Sequence, residues 1–349
     1  MWYCPWVQRR LLSIVVPAYN EEDNLELLCR EVARHASRTN CNWELILVDD
    51  GSTDRSPEIM RTLVVEEPRI RFLQLSRNFG QQAAICAGLD AARGDLIMVM
   101  DADLQDPPEK IPDFVTTIDQ GYDLVFGIRQ ARRDPLLTRL NSKIFWWTIR
   151  RLSGFNIPPN LAVMRIFNRR FLTEFQRFPE RQKFIEGIFM WIGMRRTTLA
   201  IPHRPRHAGV SKYNLLRKLS LAVNGITAFS DKPLTLAISV GVLASVSGLG
   251  FLSYISVREI LFDTYAQGWV SQFGVVLLVG GVQMIFLGVV GKYVSRLFNE
   301  VKQRPTYIVQ DRSQDGSHDQ SHDQSTDNYG TTSGSNANSD GSTSQSASG

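Results

Sequence analysis

Cysteine is scarce in this chain. Only four of its 349 residues are cysteine (Cys4, Cys29, Cys41 and Cys86), and none belongs to a C-x-x-C pair. That spacing argues against a zinc knuckle or a disulfide framework and for reduced structural thiols in a cytoplasmic domain. A secretory leader is also missing: Met1 to Val7 is short and aromatic, and the basic pair Arg9-Arg10 follows it instead of preceding it. The N-terminal domain is therefore expected to stay in the cytoplasm. No aromatic-basic array is present, so nucleic acid is not an expected partner.

Charge is absent from two long segments, Leu234 to Val257 with 24 residues and Thr264 to Gly291 with 28. Each exceeds the roughly 20 residues needed to cross a bilayer core. Arg258-Glu-Ile-Leu-Phe-Asp263 lies between them, with a net charge of −1. Lys212, Arg217, Lys218 and Lys232 precede the pair, and Lys292, Arg296, Lys302 and Arg304 follow it. The positive-inside rule puts both flanks in the cytoplasm and the short loop outside. Gly241, Gly248, Gly250, Gly280 and Gly281 are expected to permit close helix packing, which makes a homo-oligomer a reasonable expectation.

Apolar residues are nearly absent from the other end of the chain. From Gln310 onward it is Ser, Asp, Gln, Gly, Asn and Thr, with six Asp and one Arg, which leaves +9 on residues 1–309. Such a tail cannot offset its ordering entropy by burial and is expected to be disordered. His318 and His322 within it are suited to weak metal binding at most. The basic body suits phosphate-rich ligands or an anionic membrane face.

What is present before residue 233 is alternation. Strand-like runs at Leu12–Val16, Glu44–Val48, Ile70–Leu75, Leu96–Met100 and Asp123–Phe126 are separated by helical patterns at Glu22–Ala36, Pro57–Glu67, Phe79–Ala92 and Pro108–Gln120. That order predicts an α/β domain with a mostly parallel sheet, whose ligands bind at the carboxyl ends of the strands. Two further patterns, near 136–152 and 213–229, mix apolar and basic residues and read as amphipathic helices lying on a membrane surface.

The strand ends carry the candidate chemistry. Leu96 to Met100 runs into Asp101-Ala-Asp-Leu-Gln-Asp-Pro-Pro-Glu109. An extended chain alternates its side chains, so Asp101 and Asp103 are expected on one side with Ala102 between them. Two carboxylates so placed repel each other unless a cation joins them, and hard oxygen ligands favour Mg²⁺ or Mn²⁺ shared with substrate phosphates. Taken alone, the pair also reads as two solvated acids in a turn. Earlier ends are Val16-Pro-Ala-Tyr-Asn-Glu-Glu22, Val48-Asp-Asp-Gly-Ser-Thr-Asp54 and Leu75-Ser-Arg-Asn-Phe-Gly80. Tyr19 is suited to stacking on a base, Glu21 to accepting from a ribose hydroxyl and Asp49 to accepting a base N–H. Asn78 and Gly80 suit close approach of backbone to a ligand. Singly, each also reads as a turn or a helix cap.

Together these four motifs closely resemble the family-2 glycosyltransferases of GT-A fold. The chain is most similar to the polyprenyl-phosphate branch, relatives of dolichol-phosphate mannose synthase and bactoprenol glucosyltransferase. Phe126-Gly-Ile-Arg129, Ser142-Lys143, Pro179-Glu-Arg181 and Arg206-His-Ala-Gly-Val-Ser-Lys-Tyr213 extend the likeness over Leu12 to Gln303. The resemblance implies a nucleotide-sugar donor and a polyprenyl-phosphate acceptor. It implies that Pro17, Tyr19, Glu21 and Asp49 hold the nucleoside, and that Asn78, Ala102 and Gln105 also line the nucleotide-sugar site. Asp101, Asp103 and Gln105 would hold Mg²⁺ or Mn²⁺, while Arg129, Arg206 and Lys212 bind phosphates. Asp103 and Arg129 carry the catalytic load.

One position departs from the pattern. Many relatives carry an acid two residues before the Arg of an F-R-L-like motif, whereas Asn160-Leu-Ala-Val-Met-Arg-Ile-Phe167 places Val163 there. An acceptor phosphate has its second pKa near ~6 and is already largely dianionic at neutral pH, so it can attack without a protein base.

The resulting expectation is an inverting transferase, with UDP-glucose favoured as donor and undecaprenyl phosphate as acceptor. A cytoplasmic domain spans 1–232, two membrane spans lie within 233–294 (about 234–257 and 268–291), a juxtamembrane segment covers 295–309, and a disordered tail covers 310–349. Such a protein is multi-pass in the inner (plasma) membrane, with its catalytic domain and C-terminus cytoplasmic. A processive polysaccharide synthase of the same fold and a non-catalytic membrane scaffold are the rival readings; no Q-x-x-R-W motif supports the first.

Overall fold

The computed structural model describes residues 9–129, 158, 160–181, 183–202, 232–262 and 269–313. The expected amphipathic helices near 136–152 and 213–229 lie outside these residues.

The apolar runs form strands and the 3.6-period patterns form helices. In chain order the elements are β1 (Leu11–Ala18), α1 (Leu25–Ala36), β2 (Asn42–Asp49), α2 (Ser56–Glu66), β3 (Ile70–Leu75), α3 (Gln81–Ala91), β4 (Leu96–Val99), α4 (Ile111–Ile118), β5 (Leu124–Arg129), β6 (Leu161–Asn168), α5 (Arg169–Gln176), α6 (Ile185–Ile192), β7 (Arg196–Ile201), α7 (Lys232–Phe262), α8 (Trp269–Val301) and β8 (Val309–Arg312). The sheet has eight strands in the order β7-β5-β6-β4-β1-β2-β3-β8. Strands β1 to β4 are mutually parallel, as the alternation predicts. β6 enters antiparallel between β4 and β5, and β8 closes the β3 edge antiparallel. This is the mostly parallel α/β fold expected from the resemblance.

Alternate side chains of each central strand feed opposite layers. Ile14, Val16, Leu45 and Leu47 pack with Leu28, Val32, Met60 and Phe114 of α1, α2 and α4. Val15, Ile46 and Val48 pack with Ala84, Phe171 and Phe189 of α3, α5 and α6. α3 lies directly on the sheet because Gly88 has no side chain: a Cβ there would strike Val15 and Val48. Phe189 anchors α6, with its ring centroid 5.2, 4.9 and 5.2 Å from Phe167, Phe171 and Phe175 in tilted or edge-on contacts.

One expectation needs revision. The chain does not become unstructured at Gln310: residues 309–312 pair with β3, Ser313 N–H donates to the Phe72 carbonyl at 3.0 Å, and Arg61 bonds Asp311 at 3.1 Å. Strand β3 leaves an unpaired edge that four residues of any polarity can satisfy through their backbone. The close packing expected at the glycines of α7 and α8 is not tested within one chain. Nothing described lies within 4 Å of a Cβ built at Gly241, Gly248, Gly250, Gly280 or Gly281.

α7 and α8 contain the two charge-free segments. They run for 31 and 33 residues and leave large apolar side chains such as Leu243, Phe251, Met284 and Leu287 exposed. Some of their side chains fall outside the described set, and among the described residues no helix is long and apolar enough to cross a membrane.

Candidate active site

Four loops meet at the carboxyl ends of β1 to β4. The loops after β1 and β2 are stitched together by short polar side chains. Asn20 N–H donates to Ser52 Oγ at 2.9 Å, Thr53 N–H to Asn20 Oδ1 at 2.8 Å, and Glu21 N–H to Ser56 Oγ at 3.0 Å. Asn20 holds a left-handed φ of 55° and thus braces the neighbouring loop instead of capping α1, which begins at Leu25. The loops after β2 and β3 interlock as well. Gly51 has φ 68°, and a Cβ on it would overlap the backbone of Arg77 and Asn78. Asp50 then accepts from Phe79 N–H at 2.8 Å and Gly80 N–H at 2.9 Å. The motif residues Asn20, Ser52, Ser56, Gly51 and Asp50 therefore build the platform.

Asp49 closes β2 with its side chain fully buried. Its Oδ1 accepts from Ser52 N–H at 3.0 Å, but Oδ2 is buried with no partner among the described residues. Burial pushes its carboxyl above the usual range, opposed by the bond from Ser52. A buried acceptor left open at a strand end is the feature a ligand N–H would satisfy. Pro17 lies within β1 opposite Val48, and Tyr19 stands just beyond that strand and 38% exposed. Glu21 bonds Asn24 Nδ2 at 2.7 Å, and Asn78 is exposed on the third loop.

The acidic corner differs from the extended geometry expected. β4 ends at Val99, so Asp101 and Asp103 lie in a turn, and Leu104 takes a left-handed φ of 59°. Asp103, almost buried, accepts from Gln105 N–H at 3.1 Å, which folds the turn. Ala102 is buried between the two acids. Asp101 accepts from Gln81 Nε2 of α3 at 2.7 Å, and its own N–H donates to Asp106 Oδ2 at 3.3 Å. Asp106 is fully buried and pairs with Arg129 of β5 at 3.1 Å, whose guanidinium also lies 4.0 Å from Asp101. Burial drives the Asp101 carboxyl well above its usual range; Asp106 and Asp103 add to the rise, and Arg129 and Arg165 oppose it. Asp106 is raised by burial against the pull of Arg129.

Asp106 carries no role in the sequence reading, and neither do Gln81, Arg165 and Glu186. Arg165 of β6 is paired with Val99 across the sheet, so its side chain belongs to the same corner. It bonds Glu186 of α6 at 3.2 Å. Four carboxyl groups (Asp101, Asp103, Asp106 and Glu186) thus share this end of the sheet with two guanidinium groups (Arg129 and Arg165). With all six ionised, two negative charges are in excess, which a divalent cation fits. Among the described residues no three His, Cys, Asp or Glu side chains form a complete metal cage. A Mg²⁺-type ion needs only one or two carboxylates when phosphates and water fill the rest of its shell. Arg206 and Lys212 lie outside the described residues. A separate cavity of about 500 Å³, lined by Arg10, Leu96, Asp119, Tyr122 and Asn168, opens at the opposite ends of the strands and holds none of these acids.

Comparison with known proteins identifies the family. Residues 13–192 match the model of glycosyl transferase family 2. An uncharacterized glycosyltransferase of Synechocystis sp. is 36% identical over 86% of this chain and 95% of its own. The undecaprenyl-phosphate 4-deoxy-4-formamido-L-arabinose transferase of Photorhabdus laumondii is 34% identical over 87% of this chain and 94% of its own. Among solved structures, the glucosyl-3-phosphoglycerate synthase of Mycobacterium tuberculosis is 22% identical with a TM-score of 0.46, covering 62% of this chain and 78% of that one.

Proposed function

The chain belongs to glycosyl transferase family 2, and from that premise we propose that it moves a hexose from a nucleotide sugar to polyprenyl phosphate at the cytoplasmic face of the inner membrane. UDP-glucose is the favoured donor and undecaprenyl phosphate the favoured acceptor. The observation that carries this reading is one juxtaposition: the buried Oδ2 of Asp49, without a partner among the described residues, shares a sheet end with a corner where four carboxyl groups meet two guanidinium groups. A nucleoside diphosphate and a divalent cation complete both. The acceptor assignment is supported by relatives whose names carry undecaprenyl phosphate.

In this reading Tyr19 and Pro17 flank the base, Asp49 accepts its N–H and Glu21 holds the ribose. Asn78 and Ala102 line the donor's path. Asp101 and Asp103, with Gln105, are the residues to hold Mg²⁺ or Mn²⁺, whose chemistry when bound is to stabilise charge on the diphosphate. Arg129, Arg206 and Lys212 supply further cations for phosphate oxygens, the two arginines as planar forks. Val163 offers no base, and none is required. A phosphate dianion aligned behind the anomeric carbon attacks as it stands; its oxygen bonds to that carbon as the carbon's bond to the donor diphosphate breaks and the nucleoside diphosphate departs, and positioning supplies the remaining advantage. α7 and α8 keep the site at the head-group plane as two membrane spans. Their charge-free segments and exposed apolar side chains support this arrangement.

The test is a donor screen. Full-length protein in membranes is incubated with undecaprenyl phosphate and a panel of UDP- and GDP-sugars, with and without Mn²⁺, and the lipids are read by mass spectrometry. The expected product is a single sugar on the lipid phosphate, formed only with the cation. Polymer in its place identifies a processive synthase, and no product from any donor rejects the reading. Asp103→Ala is expected to lower transfer by about 100-fold with the fold intact. Near-wild-type transfer by that variant overturns the role given to Asp103.

A further inference from the structure

Arg165 and Glu186 stand beside the acidic corner with capacity left over. Arg165 is 2% exposed, and each part of its guanidinium but one is engaged. Nε donates to the Val163 carbonyl at 2.8 Å and Nη2 to Glu186 Oε1 at 3.2 Å, while Nη1 is buried with no partner among the described residues. Phe126 and Phe189 hold the guanidinium from their ring faces, at 5.9 and 5.5 Å. Glu186 is half-buried and doubly held: Gln82 Nε2 donates to its Oε2 at 3.3 Å, while Arg165 holds Oε1. A carboxylate offers about four lone-pair sites, so two hydrogen bonds leave room for two more.

The position of this pair is fixed from three sides. α6, which carries Glu186 in its first turn, is anchored by the Phe189 cluster. Gln82 also accepts from Ile185 N–H at 3.0 Å through its Oε1, so it locks the start of α6 while orienting Glu186. The residue beside it, Gln81, bonds Asp101 at 2.7 Å. Two adjacent glutamines of α3 therefore tie that helix to Glu186 through Gln82 and to Asp101 through Gln81. At Val163, where relatives of this resemblance carry an acid, the chain has only a backbone carbonyl to give Arg165; the carboxylate comes instead from Glu186, 21 residues on.

We propose that Arg165 and Glu186 form the sugar-reading part of the donor site, with Glu186 as a specificity-determining residue. Glu186 accepts from hydroxyls of a neutral pyranose, and Nη1 of Arg165 donates to a neighbouring one. A hydroxyl both donates and accepts, so a fixed donor beside a fixed acceptor matches a vicinal pair. Leaving buried polar groups unpaired is what lets such a site reject an analogue lacking the hydroxyls. This inference rests on the nucleotide-sugar reading given above, and it narrows the sugar to a hydroxyl-bearing hexose.

Calorimetry on the full chain tests it without turnover. UDP, GDP, UDP-glucose, UDP-N-acetylglucosamine and GDP-mannose are titrated into wild type and Glu186→Gln. The nucleotide sugar that binds wild type is expected to weaken by about tenfold in Glu186→Gln, while its nucleoside diphosphate shifts by less than about twofold. Equal weakening of both marks a structural residue and overturns the proposal, as does no shift in either or no nucleotide sugar bound at all. If Glu186→Gln fails to fold, Glu186→Asp carries the same test, since it keeps the charge and withdraws the oxygens by one methylene. The two readings fail separately. A wild type that binds nucleotide sugars but gives no glycosylated lipid refutes the acceptor. An active wild type whose Glu186 variants keep the sugar-to-diphosphate ratio refutes the sugar site.

Discussion

Asp49 and Asp50 are adjacent, both buried, and both pushed upward in pKa by burial. Their bonds separate them. Asp50 spends both oxygens on the Phe79 and Gly80 N–H groups, whereas Asp49 keeps Oδ2 open. Asp50→Ala is expected to cost about 1–3 kcal/mol by stranding those two donors, seen as a lower melting temperature. Asp49→Ala strands one donor, Ser52 N–H, instead of two; it is expected to lower melting less than Asp50→Ala and to weaken UDP binding by about 10-fold or more, since a bond to a charged acceptor contributes about 1.5–3 kcal/mol. The reverse pattern in calorimetry and thermal melts would exchange their roles. Sequence alone carried Asp49 as a binding residue because a polar residue at a parallel strand's carboxyl end has one usual destination. Asp106 and Glu186 were not legible in the same way. Each takes its meaning from an arginine on another strand, Arg129 or Arg165, and no local pattern announces that pairing. Arg165 itself sits in the apolar run Ala162 to Phe167, where it reads as an interruption of a strand.

At the scale of elements, the strands that alternate with helices were legible and the ones that do not were missed. β1 to β5 each follow the period-2 or continuous apolar pattern that burial demands. β8 is Val-Gln-Asp-Arg, fully exposed and polar, and nothing in those residues distinguishes it from the tail. Its order comes from the partner: β3 offers a free edge, and the segment before β8 is already fastened by Tyr307 Oη donating to Asp90 at 2.8 Å and by Ser76 N–H donating to the Ile308 carbonyl at 2.9 Å. Ser76 opens the loop that carries Asn78 and Gly80, so the strap steadies one wall of the donor site. Ending the chain after Gln303 is expected to lower stability by about 2 kcal/mol, the surplus of a few hydrogen bonds over the entropy of ordering the strap. Ending it after Ser313 is expected to change nothing. Equal melting temperatures for the two truncations would remove the strap from the fold's support.

For the molecule as a whole, the question is what surrounds α7 and α8. Val242, Leu243, Val246, Phe251 and Tyr254 on the first, and Val275, Val276, Met284, Ile285 and Leu287 on the second, are all exposed. Soluble proteins rarely leave contiguous apolar surface on this scale, so a non-aqueous neighbour is required. A helix of 31 residues is about 46 Å long at 1.5 Å per residue, more than the roughly 30 Å of a hydrocarbon core. Basic residues cluster outside the two segments, from Lys212 to Lys232 and from Lys292 to Arg304, while the connection between them is net acidic. For the proposed spans, that asymmetry predicts both ends inside and the short connection outside. The strap following α8 fits the proposed orientation, because β8 pairs with the sheet that holds Asp101 and Asp103, which places the end of α8 and that sheet on the same side of the proposed spans. In intact cells, a cysteine introduced as Thr264→Cys is therefore expected to react with a membrane-impermeant maleimide. One introduced as Ser313→Cys is expected to react only after permeabilisation. The thiols of Cys29 and Cys86 do not confuse the readout, since burial pushes both up to about 12, and Cys4 and Cys41 are changed to serine in the labelled variants. Labelling of Ser313→Cys from outside would invert the topology. Release of the protein from membranes by alkaline carbonate would reject the spans altogether and return α7 and α8 to contacts with another chain.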